Sequence, residues 1–469
     1  MQHDYNIANS DGATVRADIN SALQSLAECS SGATAPSTTF AYQWWADTAN
    51  DLLKQRNAAN SGWISVLTLS TGAVTSGGQV ADDTSPQLGG DLDLNSNNIT
   101  GTGDIPAANL TGTLPAINGS SLTGISTQKN IIINGDFNIW QRGTSFAACS
   151  DNEYQADRFK YSKVGAMVHT ISRDTDVPTV AESGHLSNYS LKVDCTTIDS
   201  SIAAGDECHI FHSIEGYNFK CLAQKAMTLS FWHKHTKTGT YCVSFRNTGH
   251  NQSYVAEYTQ SVTDTWEKAT INISASPTGG TWDYTNGVGI KIGWSIAMGS
   301  NYHTTADAWA ASSRAATSNQ VNACDSTSNN FMLAQVQLEA GSVATDFEIR
   351  NHATELAMCQ RYFCKSYNIS TDPGSSGTVG NYKFDSNGHT SSDYTARHHL
   401  QFPVSMRTTP TMVAYDTSGT SGKCTMESGA GKTATINQQG CSGAIIQGTN
   451  GAAVTTRVIQ GHYTASAEL

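Results

Sequence analysis

Hydrophobic and polar residues alternate in three different ways along this chain of 469 residues. In 13–27 the apolar side chains from Val15 to Leu26 recur at the spacing of one helical face, which predicts an amphipathic helix. Between 130 and 350 apolar and polar positions alternate one by one, with turn-forming residues between the runs, which predicts strands. Between 86 and 125 single Leu and Ile residues stand isolated among Gly, Asn, Thr and Ser.

The strand pattern is clearest in eight runs, which are 130–133, 191–194, 227–233, 241–246, 254–259, 267–273, 288–296 and 331–339. Eight strands with no long helix between them predict a β-sandwich of jelly-roll type. One further amphipathic helix is predicted at 352–365, with its apolar side running from Leu356 to Phe363. After it, a second small β domain is predicted from the runs 382–384, 398–402, 411–415, 434–436, 444–447 and 455–463.

The segment 86–125 has too few apolar residues to form a core in a single chain. Ordering each residue costs roughly 1–2 kcal/mol of conformational entropy, which isolated Leu and Ile side chains do not offset. Two interpretations remain, a flexible linker or a shaft in which several copies wind together. The regular recurrence of Leu and Ile favours an intertwined shaft. Its axial residues are predicted to be Leu92, Leu94, Ile99, Leu110, Leu114 and Leu122.

The front of the chain is rich in tryptophan. Trp44, Trp45 and Trp63 lie close together in sequence, with a hairpin turn predicted at 47–51. They form either a small hydrophobic core or a surface that docks onto a larger assembly, and we expect them to contribute to anchoring.

The fold class predicted for the whole chain is mainly β, in an elongated multidomain arrangement. The four predicted parts are a small α+β module at 1–80, the shaft at 81–128, the jelly-roll sandwich at 129–350, and a helix with a small β domain at 351–469.

Composition narrows the function classes. Charged residues make up 14% of the chain and the formal net charge is −12, so binding of nucleic acid by phosphate neutralisation is not expected. Neither a membrane-inserted stretch nor a signal peptide is expected. Eleven cysteines without a CxxC pair predict free buried thiols and assembly in a reducing cytoplasm, with a Cys424–Cys441 bridge as the alternative.

Catalytic motifs are absent from the sequence, which contains no HExxH, GxSxG or GxGxxG. We therefore expect no enzyme activity, no metal ligands and no cofactor. His233 and His235 project from one face of a predicted strand. They are either metal ligands or, in the plainer interpretation, polar strand residues.

Aromatic residues beside amide and hydroxyl groups point to glycan binding, because sugar rings present apolar C–H faces and a rim of hydroxyls. Most aromatic residues of the sandwich are expected in its core. The candidates for receptor or glycan contact are Asn251, Trp282, Tyr284, Tyr302, His303, Tyr382, Tyr394 and His398. The loops 372–382, 387–394 and 418–431 are expected to face the host cell, because binding residues concentrate on loops.

Several segments together resemble tail-fibre proteins of tailed bacteriophages, especially marine phages. The segment 1–27 with the tryptophan-rich stretch after it resembles virion-proximal modules, and IPAANLTGTLPAINGSSLTGI at 105–125 resembles shaft repeats. NIIINGDFNIWQRGTSF at 130–146, YQADRFKY at 154–161 and the run 336–363 are similar to fibre sandwiches related to carbohydrate-binding modules.

The resemblance implies a homotrimeric, non-enzymatic adhesin of the virion tail, assembled in the host cytoplasm. Its partners would be two further copies of itself, a tail or adaptor protein at the N-terminus, and a host surface glycan or outer-membrane receptor. Related modules hold a structural calcium ion, and the sequence leaves that open here. The alternative functions are a structural head fibre or connector without receptor binding and, less favoured, a capsule-degrading enzyme.

Overall fold

The computed structural model describes residues 2–75, 129–387, 394–426, 431–450 and 456–469. The chain divides into two compact units, 1–118 and 119–469. The predicted axial shaft residues lie outside the described residues: Leu92, Leu94, Ile99, Leu110, Leu114 and Leu122. Parts of the predicted loops 387–394 and 418–431 lie outside them as well.

The first unit contains one helix and a small sheet. Its elements are α1 (Gly12–Ala27), β1 (Trp44–Asp47), β2 (Leu52–Arg56) and β3 (Trp63–Thr68). The predicted helix is confirmed, and the carboxylate of Asp11 caps it by accepting the first free backbone N–H groups. The three strands form an antiparallel sheet in chain order. The predicted turn is confirmed, because Asp47 pairs with Leu52.

The apolar face predicted for α1 is not covered within this unit. Ile19, Leu23 and Leu26 are 42%, 59% and 63% exposed. The buried residue of the helix is Ser25, whose hydroxyl lies 3.2 Å from that of Tyr5. The helix is therefore fixed by polar contacts on one side while its apolar side faces outward.

The second unit begins with the strands of a sandwich and two helices of four residues. In chain order these are β4 (Ser145–Phe146), β5 (Glu153–Tyr154), β6 (Phe159–Val164), β7 (Val168–Asp174), α2 (Val180–Ser183), β8 (Ser190–Thr197), β9 (Glu207–Glu215), α3 (Gly216–Phe219), β10 (Met227–His235), β11 (Gly239–Asn247), β12 (Ser253–Gln260), β13 (Glu267–Ile273), β14 (Val288–Met298), β15 (Trp309–Ala310) and β16 (Asn330–Ala340).

These strands form two antiparallel sheets that pack face to face. One has six strands in the order β13-β10-β16-β8-β7-β4, and the other has seven in the order β15-β12-β11-β14-β9-β6-β5. The inward side chains of both sheets form one core around Phe159, Phe231 and Trp294. The predicted mainly β class and the jelly-roll type of sandwich are confirmed.

Seven of the eight predicted sandwich strands are present, and the prediction for 130–133 is wrong. The backbone N–H of Ile131 donates to the Leu338 carbonyl of β16 at 3.0 Å, but no continuous ladder forms, and side-chain amides bind neighbouring backbone groups. The amide oxygen of Asn130 accepts from the backbone N–H of Ile132 at 2.9 Å and of Leu338 at 3.1 Å. The amide oxygen of Asn134 accepts in the same way from Ile139 at 2.9 Å.

The chain then forms α4 and a third sheet. The elements are α4 (His352–Gln360), β17 (Phe363–Lys365), β18 (Tyr382–Asn387), β19 (Tyr394–Gln401), β20 (Thr411–Tyr415), β21 (Lys423–Met426), β22 (Gly431–Gly440), β23 (Gly443–Asn450) and β24 (Thr456–Ser466). The predicted second β domain is present. The predicted helix 352–365 is too long, because Phe363 pairs with Ser466 and starts β17.

Two ion pairs, one of them buried, join this domain to the sandwich. The guanidinium of Arg158 contacts the Glu468 carboxylate and lies 3.6 Å from the centre of the Tyr362 ring. The guanidinium of Arg361 donates to Glu215 at 2.6 and 3.0 Å. The sandwich and the second β domain are thus held together by contacts on both sides of one junction.

Candidate functional site: a cationic cluster on the seven-stranded sheet

The outer face of the seven-stranded sheet carries positive side chains that the register brings together. Lys160 on β6 pairs with Phe211 on β9, and Phe211 pairs with Gly293 on β14. In the next row Lys291 on β14 pairs with Arg246 on β11. Residues that face each other across antiparallel strands point to the same side of the sheet. We call these five residues the cationic cluster.

Three cations surround the single phenyl ring of the cationic cluster. The ammonium of Lys291 lies 4.7 Å from the Phe211 ring centre, that of Lys160 lies 5.7 Å away, and the Arg246 guanidinium carbon lies 6.0 Å away. Each contact falls within the range of a cation–π interaction. Three positive charges therefore lie around the Phe211 ring on one face of the sheet.

The charges of the cationic cluster lack direct counter-ions. Among the described residues no carboxylate lies within 4.0 Å of Lys160, Arg246 or Lys291. Arg246 is 5% exposed, and its Nε has no hydrogen-bond partner in the described chain. Burial, followed by the charges of Arg246 and Lys160, lowers the pKa of Lys291 to about 8.

Gly293 lies between the charged side chains, with little free space beside its Cα atom. A Cβ atom at this position would lie 3.1 Å from the Ser244 hydroxyl, 3.6 Å from Nδ1 of His209 and 3.8 Å from the Arg246 guanidinium. Burial, then the charges of Arg246 and its neighbouring lysines, holds the pKa of His209 well below its usual range. His209 is therefore a neutral polar group beside the cluster.

The arrangement suits an anionic ligand. Several positive charges close together repel one another, and an anion between them relieves that repulsion while pairing groups that are already partly removed from water. The guanidinium offers directed N–H donors and each ammonium offers a mobile one. A carboxylate, sulfate or phosphate group on a larger molecule fits this donor set.

The candidates on the loops at one end of the sandwich have structural contacts. Trp282 and Tyr284 are half-buried and stack on Phe219 at 5.6 and 6.4 Å between ring centres. The amide oxygen of Asn251 accepts from the backbone N–H of Thr281 at 3.0 Å. These residues hold two loops together, and their role in glycan contact stays a prediction.

Tyr302 is the predicted candidate that lies near the cationic cluster. Burial and the Glu207 carboxylate raise the pKa of Tyr302, while Arg246 lowers it. His303, the next residue, contacts the Met298 carbonyl through Nε2 at 3.1 Å. The charge of Arg246 therefore reaches Tyr302, which itself packs against a small buried cluster that includes Met298. His303 has a structural contact instead.

The three candidates of the second β domain do not reach the cationic cluster through any described contact. Tyr382 is buried and its ring stacks on that of His398 at 5.5 Å. Tyr394 begins β19. Whether these residues bind a receptor stays a prediction.

The three anchoring candidates differ in exposure. Trp45 is buried, with its ring 5.3 Å from Trp63 and 4.8 Å from the Lys54 ammonium. Trp63 is half-buried and lies 5.2 Å from the Arg56 guanidinium. Trp44 is 39% exposed. Trp45 and Trp63 therefore form the core of the small module, and Trp44 remains accessible.

His233 and His235 share a face, as predicted, but that face is the apolar interior. Nδ1 of His233 bonds to the Gln260 amide at 3.0 Å. His235 is stacked between Tyr241 at 3.6 Å and Phe331 at 4.5 Å. Burial lowers the pKa of His233 to about 4. Both histidines are neutral core residues, and neither belongs to a close group of three metal-ligand residues in the described chain.

A pocket of about 210 Å³ lies where 130–138, 185–188 and 347–355 meet. Several of its polar groups bind one another: the Asp136 carboxylate lies 3.0 Å from Nε2 of His185 and also accepts from a serine hydroxyl. Nε and Nη2 of Arg350 have no hydrogen-bond partner in the described chain. The pocket therefore joins segments of the fold, and we place the candidate site at the cationic cluster.

Sequence reasoning missed every member of the cationic cluster. A signal was present, because Arg246 and Lys291 are single charges inside otherwise apolar strands. Such a charge must point away from the core. What the sequence does not show is that the two strands are neighbours and that their charges meet in register.

No protein-family model matches this sequence, and no curated protein matches it. No helix in the described ranges has both the length and the hydrophobicity needed to cross a bilayer.

Several solved structures resemble part of the chain. A putative sugar-binding protein from Bacteroides thetaiotaomicron has a TM-score of 0.25 and 10% identity, covering 45% of this chain and all of that one. A family 11 carbohydrate-binding module from Clostridium thermocellum, solved with a mixed-linked tetrasaccharide, has a TM-score of 0.23 and 10% identity, covering 43% and 99%.

The enzymatically active domain of tailspike protein 4 of bacteriophage CBA120 has a TM-score of 0.24 and 14% identity. The match covers 42% of this chain and 21% of that one, so the chain spans about a fifth of the tailspike domain. None of these similarities reaches a TM-score of 0.5, and none supports an inference by itself.

Proposed function

We propose that this chain is a bacteriophage tail-fibre subunit whose sandwich binds an acidic glycan of the host surface through the cationic cluster. The observation that carries the glycan part is the group of three cations around Phe211 on one sheet face, none of which has a carboxylate of the described chain within 4.0 Å. The resemblance of the sequence to phage fibres supports the wider context. The net charge of −12 opposes general attraction of a polyanion, so recognition depends on this local site.

The remaining parts of the proposal come from the resemblance. Three copies wind together along the shaft, 1–80 attaches to a tail or adaptor protein, and the chain has no catalytic activity. Each glycan site binds weakly, and several sites on one particle raise the avidity by orders of magnitude. Light scattering at micromolar concentration is expected to give a molecular mass three times that of the chain, which is 49.9 kDa. The mass of a single chain would contradict the intertwined shaft.

The glycan site is tested by calorimetric titration of purified protein with a uronic-acid polysaccharide. Lys291→Ala and Arg246→Gln each remove a charged donor from the cluster, and we expect about a 10- to 100-fold loss of affinity, since a hydrogen bond to a charged group contributes about 1.5–3 kcal/mol. Lys268→Ala is the matched control, because Lys268 is exposed on the six-stranded sheet. Equal affinity of all variants would contradict the proposed site.

The absence of catalysis is tested with the same polysaccharide. After prolonged incubation with the protein, we expect its length distribution to be unchanged. Shortened chains would favour the capsule-degrading alternative. A second experiment separates an adhesin from a structural connector. The purified adhesin would bind to host cells and block adsorption of the phage. A connector would not bind to the cells and would leave phage adsorption unaffected.

A further inference from the structure

Three cysteines and one histidine converge inside the sandwich. One ring nitrogen of His169 and the sulfurs of Cys208 and Cys324 all lie within 4.8 Å of one another, and all three residues are buried. Cys195 lies directly opposite His169 in the sheet, and its sulfur lies 3.9 Å from the Cys324 carbonyl oxygen. We call His169, Cys195, Cys208 and Cys324 the thiol–histidine cluster.

Both sheets contribute to the thiol–histidine cluster. His169 on β7 and Cys195 on β8 pair across neighbouring strands of the six-stranded sheet. Cys208 lies on β9 of the seven-stranded sheet, and Cys324 lies in the segment between β15 and β16. These four groups are far apart in sequence, and the packing of the two layers brings them together.

The distances suit a tetrahedral metal ion. The Cys324 sulfur lies 3.7 Å from Nε2 of His169, and the Cys208 sulfur lies 3.8 Å from Nδ1. Zn–S bonds of about 2.3 Å and Zn–N bonds of about 2.0 Å give a sulfur–nitrogen separation of about 3.5 Å in a tetrahedron. Binding of an ion at Nε2 therefore requires the Cys208 sulfur to turn away from the Nδ1 side of the ring, where it lies in this structure.

Tyr161 supplies the supporting contact that metal-binding histidines commonly have. Its hydroxyl lies 2.6 Å from Nδ1 of His169. When Nδ1–H donates to this hydroxyl, the lone pair of Nε2 points away from it and is free for a metal ion. Such a contact to the second nitrogen fixes the tautomer and the ring orientation of a ligating histidine.

We propose that the thiol–histidine cluster binds one zinc-like divalent ion through Nε2 of His169 and the thiolates of Cys195, Cys208 and Cys324. The three thiols lose their protons to solvent when the ion binds. The donors are sulfur and nitrogen, which select zinc over calcium, since calcium takes oxygen ligands. The ion joins the two sheets and stabilises the sandwich.

The test uses full-length protein, purified under reducing conditions and freed of metal. One equivalent of Co²⁺ is expected to give a thiolate-to-cobalt charge-transfer band and the visible bands of tetrahedral cobalt, which Zn²⁺ then abolishes. Zn²⁺ is expected to raise the melting temperature and a chelator to lower it again. A wild-type protein that gives no such bands would overturn the proposal without any variant.

Variants then locate the site. Cys208→Ser and Cys324→Ser are expected to lose the cobalt bands and the shift in melting temperature. Cys242→Ser is the control, since Cys242 is equally buried in the same sandwich but its sulfur contacts Thr317 at 3.7 Å. Cobalt bands that persist in both cluster variants would contradict a metal site. So would a Cys208–Cys324 disulfide found by mass spectrometry in wild-type protein purified under reducing conditions.

Discussion

The junction between the sandwich and the second β domain makes the sharpest prediction about stability. Glu468→Ala removes the carboxylate that neutralises Arg158. Arg158 is 1% exposed and Glu468 is 7% exposed. The Arg158 guanidinium keeps its hydrogen bond to the Ser213 carbonyl at 2.5 Å and its contact with the Tyr362 ring, but neither supplies a negative charge.

Removing one partner of a buried ion pair leaves an uncompensated charge and costs about 3–5 kcal/mol. The substitution also removes the contact of Glu468 with Arg142 at 2.9 Å. We therefore expect the free energy of unfolding of unit 119–469 to fall by about 3–5 kcal/mol. Adding Arg158→Met removes the unpaired buried charge. The double variant is expected to recover part of the lost free energy of unfolding, because replacing a buried ion pair by apolar residues often leaves stability unchanged.

Urea unfolding followed by tryptophan fluorescence measures the loss through linear extrapolation. The control is Asp385→Ala, which breaks an ion pair between Lys383, 51% exposed, and Asp385, 47% exposed. An exposed pair contributes about 0–1 kcal/mol. If Glu468→Ala costs no more than Asp385→Ala, or if the double variant is less stable than Glu468→Ala, the reasoning about a buried charge is wrong.

Three further outcomes follow from the described geometry. Gly293→Asp places a carboxylate among the cations, so we expect at least a tenfold loss of acidic-glycan affinity in titration calorimetry; unchanged affinity would contradict the site. Because the pKa of Lys291 is about 8, its charge is lost above that pH, and we expect affinity measured between pH 7 and 9 to fall as pH rises; a flat profile would contradict this. The pKa of His233 is about 4 in the folded state and about 6.5 in the unfolded state. Between these two values the unfolded state binds more protons, so the free energy of unfolding falls as the pH drops from about 6.5 to about 4. His233→Phe is expected to flatten this slope in urea titrations at several pH values, and an unchanged slope would show that other groups cause it.

Local alternation was enough to predict most strands of the sandwich, because it depends on near neighbours along the chain. It failed at 130–133, where the backbone bond from Ile131 to Leu338 does not continue into a ladder and the amides of Asn130 and Asn134 accept from nearby N–H groups. It also missed the longer strands β6, β7 and β9. In β9 Phe211 points outward and His212 inward, which reverses the expected order of apolar and polar positions.

The candidate site could not be predicted from the sequence, because it depends on the register between distant strands. Arg246 and Lys291 pair across β11 and β14 although 44 residues separate them. The same holds for the thiol–histidine cluster, whose members come from three strands and one connecting segment. Composition indicated free thiols correctly, and the structure keeps Cys424 and Cys441 unbridged.

The central claim is that the sandwich recognises the negative charge of a glycan at the cationic cluster. The most direct measurement compares one uronic-acid polysaccharide before and after chemical reduction of its carboxyl groups to alcohols, which keeps the sugar backbone. We expect the wild-type protein to bind the acidic form at least ten times more tightly than the reduced form, and Lys291→Ala to lose most of that difference. Equal affinity of the wild-type protein for both forms would contradict the claim.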